Sequence, residues 1–309
     1  MALKTILLMD ENWEIYSGRD IPQIVSAAKT AEDAGINYVA LSEHIVMGPS
    51  CGSKGHKLNP REFHMPGNQS PLTPHPSSLM LLAAMAAITT RIKVMAFAVI
   101  PPLHHPLSMA KQLATLDLFS QGRFAVTPTV GWQEEEYRAL GVPFNKRGKM
   151  LDEHLEIWHK LWAEGSTSHS GEHYSFDEIY FEPKPWRPDG PEIWVAGDKL
   201  HPAALRRIVK YGNAFAPLSM LSHDDMAQIN NAMIDAERDP KTLDFIGFIH
   251  GDFRSPTGPA DIDQALRAVS EQVEHGSTTF LFKPDQFIDS PDQLEDLCRY
   301  VVAHLKAAS

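Results

Sequence analysis

The chain has 309 residues, 43% of them hydrophobic and 22% charged, with a formal net charge of −11. That length and apolar share can bury the core of a single α/β barrel. No block of lysine and arginine interrupts the acidic balance, so nucleic acid and anionic membrane surfaces, which demand a basic stripe, are disfavoured as partners.

The opening "MALKTILLMDENWE" lacks the long apolar run and small-residue cleavage site of a secretory signal. It holds a first strand, Lys4–Asp10. Asp20–Gly35 follows as a helix, with Asp20 as its cap, Pro22 in its first turn and Gly35 at its end. The second strand, "YVALSEH", ends on Glu43 and His44. A long Gly/Pro/His loop, Gly48–Pro76, leads to the apolar helix Ser77–Ile88, which is too short to span a bilayer. Lys93–Val99 is the third strand and Pro106–Ser120 the third helix. Gly122–Gly131 gives a turn and a fourth strand. The amphipathic helix Arg147–Gly165 and a hairpin-bearing excursion, Gly171–Pro191, form an insertion before the next strand.

The fifth strand is Glu192–Gly197, with "HPAALRRIVKYG" as its helix. Asn213–Leu218 is the sixth, Leu243–Phe253 the seventh and Thr278–Pro284 the eighth, each followed by an amphipathic pattern. Continuous apolar strands alternating with helices imply a parallel sheet covered by helices. Eight such units predict one (β/α)₈ TIM barrel over residues 1–309, with insertions after strands 2 and 4. No Gly-x-Gly-x-x-Gly follows the first strand, which weakens a Rossmann alternative. Cys51 and Cys298 lie far apart and make no metal or redox spacing, which fits a reducing cytoplasm.

In such barrels chemistry gathers at the carboxyl ends of the strands. That places Asp10, Glu11, His44, Ala98, Val99, Thr129, Gly131, Trp132, Gly197, Asp198, Lys199, Ser219 and Lys283 at or near the mouth. An imidazole at the tip of the second strand, such as His44, can donate a proton or polarise a bound oxygen. Glu43 should point the other way by strand alternation, as a structural partner. "VAGDKLHPAALRR" joins a small-residue strand end to a helix start and a lysine, a weak phosphate signal. Trp132, Trp13, Phe97 and Met95 can wall a flat cofactor or serve as plain core. Cys51, His56, His64 and His75 share the long loop, but their spacing matches no familiar zinc pattern, so a mobile lid or substrate loop is expected and no metal. Nucleophilic catalysis by serine or cysteine has no motif behind it.

"GRFAVTPTVGWQEEEYRALGVPFNKRGKMLDE" resembles the central signature of the luciferase-like flavin and deazaflavin oxidoreductases. "PLHHPLSMAKQLATLDLFSQGRF" and "FEPKPWRPDGPEIWVAGDKLHPAALRRIVKYGNAFAP" are similar to the segments on either side. The resemblance implies a barrel that binds coenzyme F420 or FMN at its mouth, as a homodimer acting on a small-molecule substrate. It implies His44 beside the reacting centre, a non-proline cis peptide with a bulge near Ala98–Val99, and the cofactor's phosphate end near Ala196, Gly197, Asp198 and Lys199. Thr129, Gly131, Trp132 and Ser219 complete the expected cofactor contacts. Lys199, Arg206, Arg207 and Lys283 are the cations expected to meet the acidic tail of F420. Trp132 stands where the sugar-phosphate dehydrogenases of the family carry a glutamate, so that substrate class is not expected. Gln121 replaces a common glycine, in a turn. The function expected is hydride transfer between F420 and an organic substrate. Its rivals are an FMNH2-dependent monooxygenase using O2 and a non-catalytic flavin-binding relative.

Overall fold

The computed structural model describes residues 2–163 and 165–308. Met1, Glu164 and Ser309 lie outside the described residues, Glu164 being part of the helix expected over Arg147–Gly165. Among the described residues there are ten strands: β1 (Lys4–Leu8), β2 (Tyr38–Leu41), β3 (Lys93–Val99), β4 (Phe124–Pro128), β5 (Ser166–Ser170), β6 (Ser175–Tyr180), β7 (Glu192–Gly197), β8 (Ala214–Pro217), β9 (Asp244–Ile249) and β10 (Thr279–Phe282). Eight close a parallel barrel in the order β1-β2-β3-β4-β7-β8-β9-β10, with β10 back beside β1. This is the expected (β/α)₈ barrel. β5 and β6 form a separate antiparallel hairpin.

Helices α1 (Ile21–Ala34), α2 (Ser78–Ile88), α3 (Pro106–Phe119), α4 (Glu134–Ala139), α5 (Arg147–Trp162), α6 (Pro202–Tyr211), α7 (His223–Asp235), α8 (Ile262–Leu266), α9 (Val269–Glu274) and α10 (Leu294–Ala307) connect the strands. α1 begins as its sequence dictates, with the Asp20 carboxylate accepting from Gln23 N at 3.2 Å, and Gly35 closes it at φ +91°. None of the described helices is long and apolar enough to cross a membrane.

Side-chain alternation sorts each strand into two faces. Ile6, Leu8, Tyr38, Ala40, Met95, Phe97, Trp194 and Leu281 fill the barrel interior, while Leu7, Val39, Val94, Phe124 and Ile193 meet the helices. Each fully buried large side chain contributes about 1.5–3 kcal/mol. The amino end is closed by charge: Lys4 Nζ meets Asp244 at 2.5 Å, and Lys93 Nζ meets Glu192 at 2.7 Å.

Several boundaries differ from the sequence reading. The hairpin starts at Ser166, earlier than expected, because Gly171 turns it, its N–H donating to Tyr174 O at 2.9 Å. The acidic run after Gln133 forms α4, a helix the sequence reading missed. The helix expected after the seventh strand is broken at Arg267–Ala268 into α8 and α9. β8 and β9 pair only at Ala214 with Asp244 and Phe215 with Phe245. Gln121 turns the chain at φ +55°, a left-handed conformation that explains why glycine suits the position.

Candidate active site at the barrel mouth

β2 ends at Leu41, and the chain continues outward through Ser42, Glu43 and His44. Alternation turns Glu43 away from His44, as expected. Its N–H donates to Ala98 O at 2.8 Å, its Oε2 accepts from Ile100 N at 2.8 Å, and its Oε1 lies 3.0 Å from His104 Nε2. Glu43 therefore clamps the end of β3. There the register shifts between Phe97 and Val99, and the Phe97–Ala98 peptide is cis. The feature sits one bond earlier than the position expected from the sequence.

His44 is nearly buried, with 9% of its side chain exposed, and its Nδ1 lies 3.1 Å from Oε2 of the fully buried Glu136. Glu136 Oε1 accepts from Ile45 N at 2.6 Å and Val46 N at 3.3 Å. One carboxylate thus fixes the ring and the backbone that carries it. Nε2 carries no hydrogen bond to another described residue. The His75 and Trp132 rings meet His44 edge-on, with centroids 5.0 Å and 5.9 Å away.

The long loop brings a second group of titratable residues to the ends of β1 and β10. His64 Nδ1 lies 2.7 Å from Glu11 Oε2, and His75 Nε2 lies 3.8 Å from Glu11 Oε1. Burial favours the neutral acid at Glu11, but the hydrogen bond and charge of His64, with Lys283, outweigh it and hold the carboxyl below its usual range. Burial, with the Glu11 charge adding to it, pushes Asp10 up to about 6 despite two hydrogen bonds from Ser42 at 2.8 and 2.7 Å. Burial pushes His75 down to about 4, and neither of its ring nitrogens has a hydrogen-bond partner. Lys283 Nζ lies 3.4 Å from Asp285 Oδ2 without hydrogen-bond geometry, and burial pushes Asp285 up to about 7 against the pull of Lys283.

The remaining expected site residues divide. Trp132 stands beside His44. Gly131 adopts φ +60°, a conformation that suits glycine. The Thr129 hydroxyl and N–H both donate to Val99 O, at 3.1 and 2.9 Å, so this side chain braces the β3 end. Ala98, Ala196 and Gly197 are half-buried, and nothing lies within 3.6 Å of where a Cβ on Gly197 would stand. Such small residues leave shelf space for a flat ring, which fits a flavin-type group. The Ser219 hydroxyl donates to Asp198 O at 2.7 Å, tying the β7 and β8 ends together. Asp198, Lys199 and Arg206 are exposed.

Two expected tail cations are otherwise engaged. Arg207 Nε meets Asp152 at 2.7 Å, and its Nη2 donates to Gly148 O at 3.0 Å. Lys283 is 2% exposed beside Asp285, because its strand position points it into the barrel under the long loop. The N-terminus of α6 is partly spent as well, since His201 Nδ1 accepts from Ala204 N at 3.2 Å. Among the described residues, no group of three or more His, Cys, Asp or Glu could hold a metal ion. The sequence reading missed Glu136. Its one signal was a third consecutive glutamate at a position that helical spacing turns inward.

The sequence matches the luciferase-like monooxygenase family over residues 1–273. An uncharacterized protein of Mycobacterium tuberculosis is 32% identical over 168 residues, covering 54% of this chain and 58% of that one. The FMNH2-dependent dimethylsulfone monooxygenase of Pseudomonas putida is 35% identical over 123 residues, 39% of this chain and 34% of that one. The chain thus spans between about a third and somewhat more than half of these relatives. The monooxygenase RslO1 from Streptomyces bottropensis shares the fold at a TM-score of 0.72 and 20% identity, covering 98% of both chains. The coenzyme F420-dependent tetrahydromethanopterin reductase of Methanopyrus kandleri does so at 0.67 and 16%, covering 97% of both.

Proposed function

Because the chain belongs to the luciferase-like monooxygenase family, we propose that it is an oxidoreductase moving a hydride between coenzyme F420 and a small organic substrate. The observation that carries this reading is the His44–Glu136 pair at the β2 tip, beside the small-residue end of β3. When bound, F420 supplies a two-electron hydride carrier whose reduced form reacts poorly with oxygen.

The protein's part is to hold and move a proton and to shape the site. Glu136 anchors Nδ1 of His44, which leaves Nε2 to take a proton from a substrate hydroxyl or give one to a substrate oxygen. A buried carboxylate also steadies the imidazolium that forms when Nε2 takes the proton. Ala98, Ala196 and Gly197 give the ring room, and Trp132 adds an apolar edge beside His44. Lys199 and Arg206 meet the acidic tail in a chain that is otherwise acidic. The enzyme works in the cytoplasm as a homodimer. Apolar residues left exposed on α2 and α3 (Met80, Ile88 and Phe119) support the dimer.

The second reading is an FMNH2-dependent monooxygenase using O2, favoured by the similarity to the dimethylsulfone enzyme. Titration with F420 and with FMN, each followed by its own absorbance, decides the cofactor. Carbonyl, alcohol and activated-alkene substrates are then assayed anaerobically with F420 and aerobically with reduced FMN. Turnover only in the aerobic assay, with oxygen-gas label in the product, would overturn the F420 reading.

A further inference from the structure

Beyond β1 the chain turns at Asp10 and Glu11, and Glu11 adopts φ +58°, in the left-handed region that favours glycine. A side chain persists in that conformation only where its surroundings hold it. Here the surroundings come from the long loop. Glu11 Oε2 lies 2.7 Å from His64 Nδ1, and Oε1 accepts from Gln69 Nε2 at 3.5 Å. His75 Nε2 stands 3.8 Å from the same Oε1, within reach of its charge but not of a hydrogen bond. One largely buried carboxylate thus gathers three side chains of the loop.

The first half of the loop has anchors of its own. After β4, Gln133 Oε1 accepts from Gly48 N and Glu135 Oε2 from the Ser50 hydroxyl, the latter at 2.6 Å. Beyond β9, Ser255 O and Gly258 O accept from Asn59 Nδ2 at 3.1 and 2.9 Å. Beyond β10, Asp285 O and the Asp289 carboxylate accept from Arg61 at 2.9 and 2.7 Å. The loop therefore crosses the mouth, tied at both edges. Residues 64–75 are held differently. Among the described residues, the hydrogen bonds they make to the barrel all end on Glu11; the others stay within the loop, as from Gln69 N to Cys51 O at 2.8 Å. Met65 and Leu72, the large apolar side chains of this segment, are 39% and 87% exposed and add little to its hold. The segment ends on His75, whose ring covers one side of His44. No hydrogen bond fixes His75 there, so its place depends on the segment that carries it.

We propose that Glu11 is a positioning residue: a latch that holds residues 64–75 over the mouth, and so sets His75 against His44 and keeps water from that imidazole. Its bearing on turnover rests on the oxidoreductase reading; the latch itself does not. The test compares full-length variants. Glu11→Gly removes the carboxylate and suits the backbone at φ +58°. His64→Ala removes the partner on the loop and leaves Glu11 beside Lys283, so it decides the matter if the glycine variant melts early. His64→Gln returns a donor to the latch. The main readout is carbethoxylation by diethyl pyrocarbonate, mapped by peptide mass, with exposed His56 and fully buried His154 as references. His44 and His75 should react slowly in the wild type and about tenfold faster in Glu11→Gly and His64→Ala, with His154 unchanged. His64→Gln should restore much of the protection. Anaerobic turnover with F420 should fall about tenfold in the two open variants. Unchanged protection of His44 and His75, or an equal acceleration at His154 in both variants, would overturn the latch. Protection lost with turnover intact would overturn the positioning role. Absence of F420 binding in the wild type, with protection lost as expected in the variants, would instead remove the oxidoreductase reading and leave the latch standing.

Discussion

Replacing Glu136 with glutamine isolates what the buried carboxylate does for His44. The wild-type side chain spends Oε1 on the N–H groups of Ile45 and Val46, and Oε2 faces His44 Nδ1 at 3.1 Å. Glutamine keeps one carbonyl oxygen for those N–H groups and sets an NH2 against Nδ1. That group only donates, so Nδ1 must become the acceptor and the ring proton moves to Nε2. Exchanging a charge-assisted bond for a neutral one lowers stability by roughly 1–2 kcal/mol. The chemical effect is larger. A ring protonated at Nε2 cannot accept a proton there, and no carboxylate remains to steady an imidazolium. Turnover in the direction that needs a base should fall about 10²- to 10⁴-fold, as for loss of a general base. F420 affinity should change little, and His44→Ala should show the same division between turnover and binding. The assays are anaerobic turnover, F420 titration, and nitrogen NMR of the ring tautomer. A reversed tautomer with turnover preserved would refute proton handling by the pair. An unchanged tautomer would refute the premise that Nδ1 donates to Glu136.

Four further substitutions probe the rest of the molecule. Glu32 Oε2 accepts from Thr90, Arg91 and Ile92 N at 2.8, 2.6 and 3.0 Å, which overcomes the burial that opposes its charge and holds it at about 2. Its folded value lies below the unfolded one, so the stabilisation is present above about pH 4.5 and lost as pH falls toward 2. Glu32→Gln should cost about 2 kcal/mol at pH 7 and flatten that acid limb in denaturant titrations; an unaltered limb would count against the assignment. His75, pushed down to about 4, stays neutral when folded, so it contributes a loss of stability as pH falls from about 6.5 to 4. His75→Gln should shrink the loss in that window, and an equal loss in both proteins would sink the argument. Lys199→Ala should weaken F420 binding at low ionic strength, the difference fading as salt rises toward 0.15 M, where screening acts over about 8 Å. Arg207→Ala should leave F420 binding alone, since Asp152 already holds that guanidinium; the reverse ranking would move the tail to α6.

The barrel was legible because continuous apolar strand runs and helix caps are local properties, and β1 and α1 show the one and the other plainly. His44 was legible for the same reason: it follows an apolar strand, and its neighbour Glu43 turns away to brace Ile100 and His104. Glu136 was not, because 92 residues separate it from His44 and only the packing of α4 brings it inward. His64 and His75 lie in a loop with no periodicity, so nothing in the sequence fixes which of its imidazoles reach Glu11. Lys283 was rightly placed at a strand end, but its fate depended on what covers that end. Under the long loop it became a buried partner of Asp285 and not a surface cation. The break between β8 and β9 left no trace in either apolar run, because the compensation comes from a glutamine on a helix.

The two sides of the mouth are built on different terms. From β1 to β4, polar side chains hold one another and the backbone: Ser42 holds Asp10, Glu43 holds Ile100, Thr129 holds Val99, and Glu136 holds the chain after His44. Each such bond leaves a buried partner unsatisfied if it is lost, so few arrangements of this side are possible. Between β8 and β9 the wall stands open, its backbone satisfied by Gln272 and its lip formed by exposed Leu218 and Met220. Apolar contacts of that kind are non-directional and tolerate changes of shape. A proton-handling pair needs the first kind of surroundings. Substitutions on the β2–β4 side should therefore lower kcat. Those at the exposed β8–β9 lip should leave kcat close to that of the wild type. Lip variants that lowered kcat as far would show that the two sides are not separable in this way.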